Sequence, residues 1–282
     1  MNTKTYLLNS ELIVHAGGLS ERWFEVTQGK LTKPITCIGK NPRPVIDWII
    51  LPWVKAGIKK IFVSIWHNPN ELIEHLNQIG KNTGIEFVFL REPQDKRLGR
   101  AGVIKHYLEN GILSEDKPKI SINSSDLMKL NIDDLVQFHL EGFEKGFLAT
   151  IVCSISEASQ FGRVVYHPET YTVMNFVEKP VVQLPKGEHI NTGLFYLDSK
   201  LNKLFSEIED SDLPVDLEKS KILSKICPVM RSLGNVVPFE SWLWLKNLHD
   251  YNKVKDLDLE KWFEITPIDK YLGPFSLNDK LF

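Results

Sequence analysis

Short apolar runs alternate with amphipathic segments through the first half of the chain. Leu12–His15, Lys60–Ile65, Ile85–Leu90 and Lys119–Ile122 read as strands. Between them, Pro44–Ala56, Asn70–Ile79, Gly99–Asn110 and Ile132–Glu141 carry apolar residues at helical spacing. Asn68-Pro69-Asn70 and Asn131 mark helix starts, and Pro52 predicts a kink in the first of these helices. The rhythm predicts an α/β fold with a mostly parallel sheet and helices on both faces. Ligands bind such sheets at the carboxyl ends of the strands, near a switch in strand order.

The pattern changes after about residue 145. Phe147–Cys153, Arg163–Tyr166, Tyr171–Val177 and Ile190–Leu197 follow closely, and the turn His167-Pro168-Glu169-Thr170 joins two of them. A β-rich extension is predicted there, on the substrate side of a cleft. Helices near Lys200–Ile208 and Leu217–Ile226 and a strand at Asn235–Phe239 come next. Without a long Gly/Ser linker or a repeat, 282 residues read as one domain with two lobes.

Charge narrows the ligand classes. A formal net charge of -2 carries no basic signature for nucleic acid or an anionic membrane, so an anionic ligand must be held by locally placed Arg and Lys. Cys37, Cys153 and Cys227 are far apart and form no C-x-x-C pair, which argues against a zinc site or disulfide framework. The polar start MNTKTYLLNSELIV does not read as a signal peptide, and no apolar run approaches membrane-spanning length. These features predict a soluble, cytoplasmic protein. Trp262, Phe263, Tyr271, Phe275 and Phe282 near the end predict packing on the body or on a second copy in a homo-oligomer.

Candidate chemistry begins at AGGLSERW, directly after the first strand. Gly17 and Gly18 let backbone N–H groups approach an anion, Ser20 adds a hydroxyl and Arg22 a fork-shaped cation. An ordinary strand-to-loop turn with a surface Arg is equally consistent with this stretch alone. Further on, LTKPITCIGKNPRPVIDW, RLGRAG, NSSD, FGRVV, FVEKP and INTG occur in order. The series resembles the sugar-1-phosphate nucleotidyltransferases, whose signatures read roughly GGxGTRL, PKPLxPVxxKP, LGTAG, NGD, YGxV, EKP and INAG. The resemblance covers about residues 10 to 240, and its LGxAG form is more similar to the mannose-1-phosphate guanylyltransferase branch than to the thymidylyltransferases.

The resemblance implies a Rossmann-like domain over 1–282, with a nucleotide lobe at 10–145, a sugar-phosphate lobe at 146–245 and a packing segment at 246–282. It implies a Mg²⁺-dependent reaction between a nucleoside triphosphate and a sugar 1-phosphate, giving a nucleotide sugar and pyrophosphate. Arg22 and Lys33 match the cations on the triphosphate, and Asp126 the metal carboxylate; Asp126 also suits a helix cap. Ala16, Gly17, Gly18, Glu92, Gly99 and Ala101 fall at nucleotide-binding positions. Gly162, Glu178, Lys179, Asn191, Thr192 and Glu218 fall at sugar-phosphate positions. His15 is either a base contact or a satisfied strand-end histidine. Cys37 has no His nearby in sequence and is assigned no nucleophilic role, and the tryptophans read as core.

The chain departs from the family pattern in several places, and Arg100 stands where LGTAG has its threonine. Glu21 replaces the threonine of the first signature, Ser125 the glycine of NGD, and W-x-D-I-G-T-P-x-D-Y has become Trp242 to Tyr251 without the first aspartate. One alignment puts Trp244 at the second metal position, and a shift by one puts Leu245 there. Glu240 or Asp250 reaching the site, a metal held by a single aspartate, or a regulatory chain that binds a nucleotide sugar without turnover all remain open. A generic dinucleotide binder is disfavoured, because no G-x-G-x-x-G follows the first strand.

Overall fold

A computed structural model describes residues 2–142, 148–155, 162–167, 169–170, 173–177, 188–217, 232–237, 239–265 and 267–275. Its strands are β1 (Glu11–His15), β2 (Cys37–Ile38), β3 (Arg43–Pro44), β4 (Lys60–Ile65), β5 (Glu86–Arg91), β6 (Lys119–Asn123), β7 (Asp126–Met128), β8 (Leu148–Ile155), β9 (Arg163–Tyr166), β10 (Val173–Val177), β11 (Glu188–Leu197), β12 (Ser232–Val237) and β13 (Trp242–Trp244). The principal helices are α1 (Thr3–Leu8), α2 (Phe24–Thr27), α3 (Val45–Lys55), α4 (Asn70–Thr83), α5 (Gly99–Glu109) and α6 (Ile132–Gly142). The chain forms two compact units, 1–13 with 92–122 and 133–240, and 14–91 with 123–132 and 241–282. These interleave along the sequence. Pairing between distant strands causes the interleaving: in the second unit β7 is antiparallel to β13.

In the first unit the sheet order is β10-β9-β11-β6-β1, with β8 joining β11 and β12. Strand β11 runs antiparallel to β6, β8 and β9, and β8 is parallel to β12. Leu12 and Ile13 are fully buried, as the apolar run predicts for a strand covered on both faces. Lys119, also fully buried, pairs with Glu11 at 3.0 Å and donates to the carbonyls of Ser114 and Lys117, so its charge is satisfied within the unit.

In the second unit β1 is followed by β4 and β5, which are parallel and in register from Lys60↔Glu86 to Ile65↔Arg91. Helix α4 buries Leu72, Leu76 and Ile79, spaced three and four apart on one face, and stops at Gly84 in the left-handed conformation. Helix α3 runs through Pro52 and continues to Lys55, where the sequence predicts a kink. Its Trp48 is fully buried and stacks on Phe263 at 5.5 Å, and Trp23, Trp53 and Trp242 are likewise core residues.

Candidate functional site

The phosphate-side residues of the sequence reading lie in the second unit. Strand β1 ends at His15, whose carbonyl accepts the Ser124 amide, and the Ala16 amide donates to Ser64 at the end of β4. The turn that follows is made by Ser20, at φ 56°, and not by a glycine. Gly18 is exposed, and a Cβ added to it would meet nothing within 4 Å, so its side of the loop is open to a ligand. Trp23 is fully buried and donates from Nε1 to Thr36 at 3.0 Å, which anchors the loop and leaves Arg22 exposed. Glu21 is exposed to solvent.

Lys33 is held at three points. Its amide donates to Ser20 Oγ at 3.3 Å, leaving that hydroxyl hydrogen for another acceptor. Its Nζ donates to the Leu245 carbonyl at 2.6 Å and lies 5.1 Å from the Trp23 ring centroid. Burial lowers its pKa from 10.5 to about 8; Asp126 and Asp250 oppose the shift, while Arg22 and Lys246 add to it. A charge gathered among like charges in this way favours an anionic ligand.

Asp126 opens β7 and is 7 % exposed. Its Oδ1 accepts Trp242 Nε1 at 3.2 Å and its Oδ2 accepts Ser125 Oγ at 2.8 Å. Trp244 lies directly across the ladder from Asp126, and the Leu245 amide donates to the Ser125 carbonyl at 2.8 Å. Residues opposite one another on antiparallel strands share a face. Of the two residues that the alignments offer, Trp244 is the one paired with Asp126 across the ladder. Asp250 is buried, and its Oδ2 accepts the Lys246 amide at 2.8 Å. Glu240 is exposed. Among the described residues, no three His, Cys, Asp or Glu side chains gather into a metal cage. Asp126 still fits a one-carboxylate site, since two of the roughly four lone-pair positions of a carboxylate remain after its two hydrogen bonds.

The remaining site residues lie in the first unit. Glu92 is buried, and its Oε2 accepts the Leu98 amide at 2.7 Å. That oxygen shapes the loop before α5. Gly99, at φ +72°, is required by packing, because a Cβ there would sit 2.6 Å from the Val215 carbonyl oxygen. The same carbonyl accepts the Ala101 amide at 3.0 Å and the Gly102 amide at 3.4 Å, so these donors of the first helical turn serve the fold. Arg100, in the place of a threonine, lies 3.7 Å from Asp216.

The Asn191 amide donates to the Gly162 carbonyl at 2.7 Å, which brings two motifs of the sugar side together. Asn191 and Thr192 are buried on β11, where the pairing register shifts between Asn191 and Phe195 and Gly193 adopts φ 84°. Such bulges re-aim side chains. Glu178, Lys179 and Glu218 lie outside the described residues. Cys37 is half-buried, and burial and then Asp47 push its thiol up to about 12, in keeping with no nucleophilic role.

Comparison with known proteins gives a consistent picture. The family model described as Nucleotidyl transferase matches residues 11–261. A mannose-1-phosphate guanyltransferase of Pichia angusta is 30% identical over 219 residues, covering 75% of this chain and 57% of that protein. The Saccharomyces cerevisiae protein of the same name is 26% identical over 217 residues, with the same coverage. The chain therefore spans a little over half the length of these relatives. The structure of an inositol-1-phosphate CTP transferase from T. maritima superposes with a TM-score of 0.67 at 14% identity, covering 92% of this chain and 96% of that one, and supports the mixed Rossmann-like α/β fold. No helix among the described residues is long and apolar enough to cross a membrane.

Proposed function

Because the chain belongs to the nucleotidyl transferase family, we propose that it joins a nucleoside triphosphate to a sugar 1-phosphate, giving a nucleotide sugar and pyrophosphate. Family members generally work with a divalent metal, and Mg²⁺ is the ion proposed here. The observation that carries the reading is the convergence of Lys33, Arg22 and Asp126 beside the open glycine loop. An oxygen of the sugar phosphate attacks the α-phosphorus, a new P–O bond forms, and the bond to the bridging oxygen breaks as pyrophosphate leaves. No covalent enzyme intermediate is required, so rate comes from alignment and charge neutralisation. Lys33 neutralises phosphate oxygens from a fixed position, and Arg22 grips the departing pyrophosphate. Asp126 would hold Mg²⁺, which supplies further neutralisation of the phosphates.

Pyrophosphate release should appear with Mg²⁺ and one particular pair of triphosphate and sugar 1-phosphate, and vanish in Asp126→Ala. Silence across a full panel of pairs would refute the reading. A second reading, binding of a nucleotide sugar without turnover, is favoured by Trp244 opposite Asp126. Tight calorimetric binding of a nucleotide sugar combined with that silence would establish it.

A pH dependence follows from Lys33. Its lowered pKa means the charged form predominates below about 8 and is lost as the pH rises through that value. Triphosphate affinity should fall across this range in the wild type. The step should be absent from Lys33→Met measured under the same conditions, which removes the ligand's own ionisation from the comparison.

A further inference from the structure

The segment after β13 is fixed at three backbone atoms. The Leu245 amide donates to Ser125 at 2.8 Å, the Leu245 carbonyl accepts Lys33 Nζ at 2.6 Å, and the Lys246 amide donates to Asp250 Oδ2 at 2.8 Å. Asn247 then caps the helix Leu248–Val254 by accepting the Asp250 amide at 3.1 Å. Lys246 is therefore mounted on a rigid step between the carbonyl that holds Lys33 and the helix start. Its side chain is half-buried, and its charge acts on Lys33 together with that of Arg22. Two carboxylates face this group, Asp126 and Asp250, and Asp250 is occupied by the Lys246 amide.

We propose that Lys246 is a third polyphosphate-binding cation, acting with Arg22 and Lys33 in a site where Trp244 stands opposite the lone metal-binding carboxylate. The inference rests on the triphosphate reading above and deepens it. A single carboxylate holds Mg²⁺ less firmly than a pair. Fixed ammonium and guanidinium groups grip a polyphosphate with no metal present, and their mutual repulsion is relieved when the anion arrives. In sequence Lys246 takes the place of a glycine in W-x-D-I-G-T-P-x-D-Y, a position with no side-chain role to transfer.

The test is calorimetric binding of inorganic pyrophosphate to the whole chain, in EDTA and again in Mg²⁺. Wild type should bind in EDTA, and Lys246→Gln should lose about tenfold or more of that affinity, the size of one charge-assisted contact. Lys246→Arg should restore most of it, and the loss in Gln should be smaller with Mg²⁺ present. Failure of the wild type to bind without metal would overturn the proposal. So would a change under about twofold in Lys246→Gln, or equal losses in Gln and Arg, which would make the effect one of shape and not of charge. Lys246-dependent binding by a chain that releases no pyrophosphate from any substrate pair would sink the transferase reading and leave this inference standing.

Discussion

Lys33→Met should lower the rate of pyrophosphate release by about 10²–10³-fold, the usual consequence of deleting one preorganised donor from a transition-state charge site. The geometry explains why a single lysine carries so much. Ser20 fixes its amide, the Leu245 carbonyl fixes its ammonium at 2.6 Å, and the Trp23 ring lies alongside. A charge already in place costs no reorganisation when phosphate oxygens become more negative during bond exchange. Arginine at this position should not restore the rate, because a planar fork cannot reproduce the compact three-donor geometry of an ammonium. Rates from single-turnover assays, with a thermal melt to verify folding, decide the matter. A loss below tenfold in Lys33→Met would remove Lys33 from the catalytic group.

Asp47→Ala should cost about 3–5 kcal/mol of unfolding free energy, as expected when one partner of a buried ion pair is removed. Asp47 is completely buried on α3, and its two oxygens accept Arg43 Nε at 2.8 Å and meet His75 Nε2 at 2.5 Å. Arg43 extends the network by donating to Asp269 and to the Gly273 carbonyl, and it faces the Phe275 ring at 5.3 Å. Removal of the carboxylate leaves the buried Arg43 Nε and His75 without their shared partner and loosens α4 and the segment at 269–275 together. Denaturant titration gives the loss directly. A value under about 1 kcal/mol would mean that Asp269 alone suffices to satisfy the Arg43 charge.

Much of the fold was legible because the apolar periodicities were unambiguous. Lys60–Ile65 and Arg163–Tyr166 have their predicted ends, and the four predicted helices of the first half begin within a residue of the observed ones. Helix α1 escaped the reading because it is short and buries only Tyr6 and Leu7, too little for a period to emerge. The site was legible as residue types in order, and much less so as contacts. Glu92 and Gly99 look like ligand positions in sequence, and the structure adds that Glu92 accepts the Leu98 amide and that Gly99 packs against the Val215 carbonyl. Both partners are invisible to local pattern, and Val215 is remote along the chain. The choice between Trp244 and Leu245 opposite Asp126 was likewise undecidable from alternation alone. Ladder pairing with β7 decided it.

Trp242 and Trp244 lie with ring centroids 5.1 Å apart and planes inclined by 51°. Two indoles so placed behave as one coupled chromophore, and their absorption splits into components of opposite circular dichroism. Trp242 is hydrogen-bonded to the Asp126 carboxylate, so whatever draws on that carboxylate perturbs the pair. The indole paired with Asp126 across the ladder thereby gives the protein an optical reporter of whatever that carboxylate binds, readable without label, substrate or turnover.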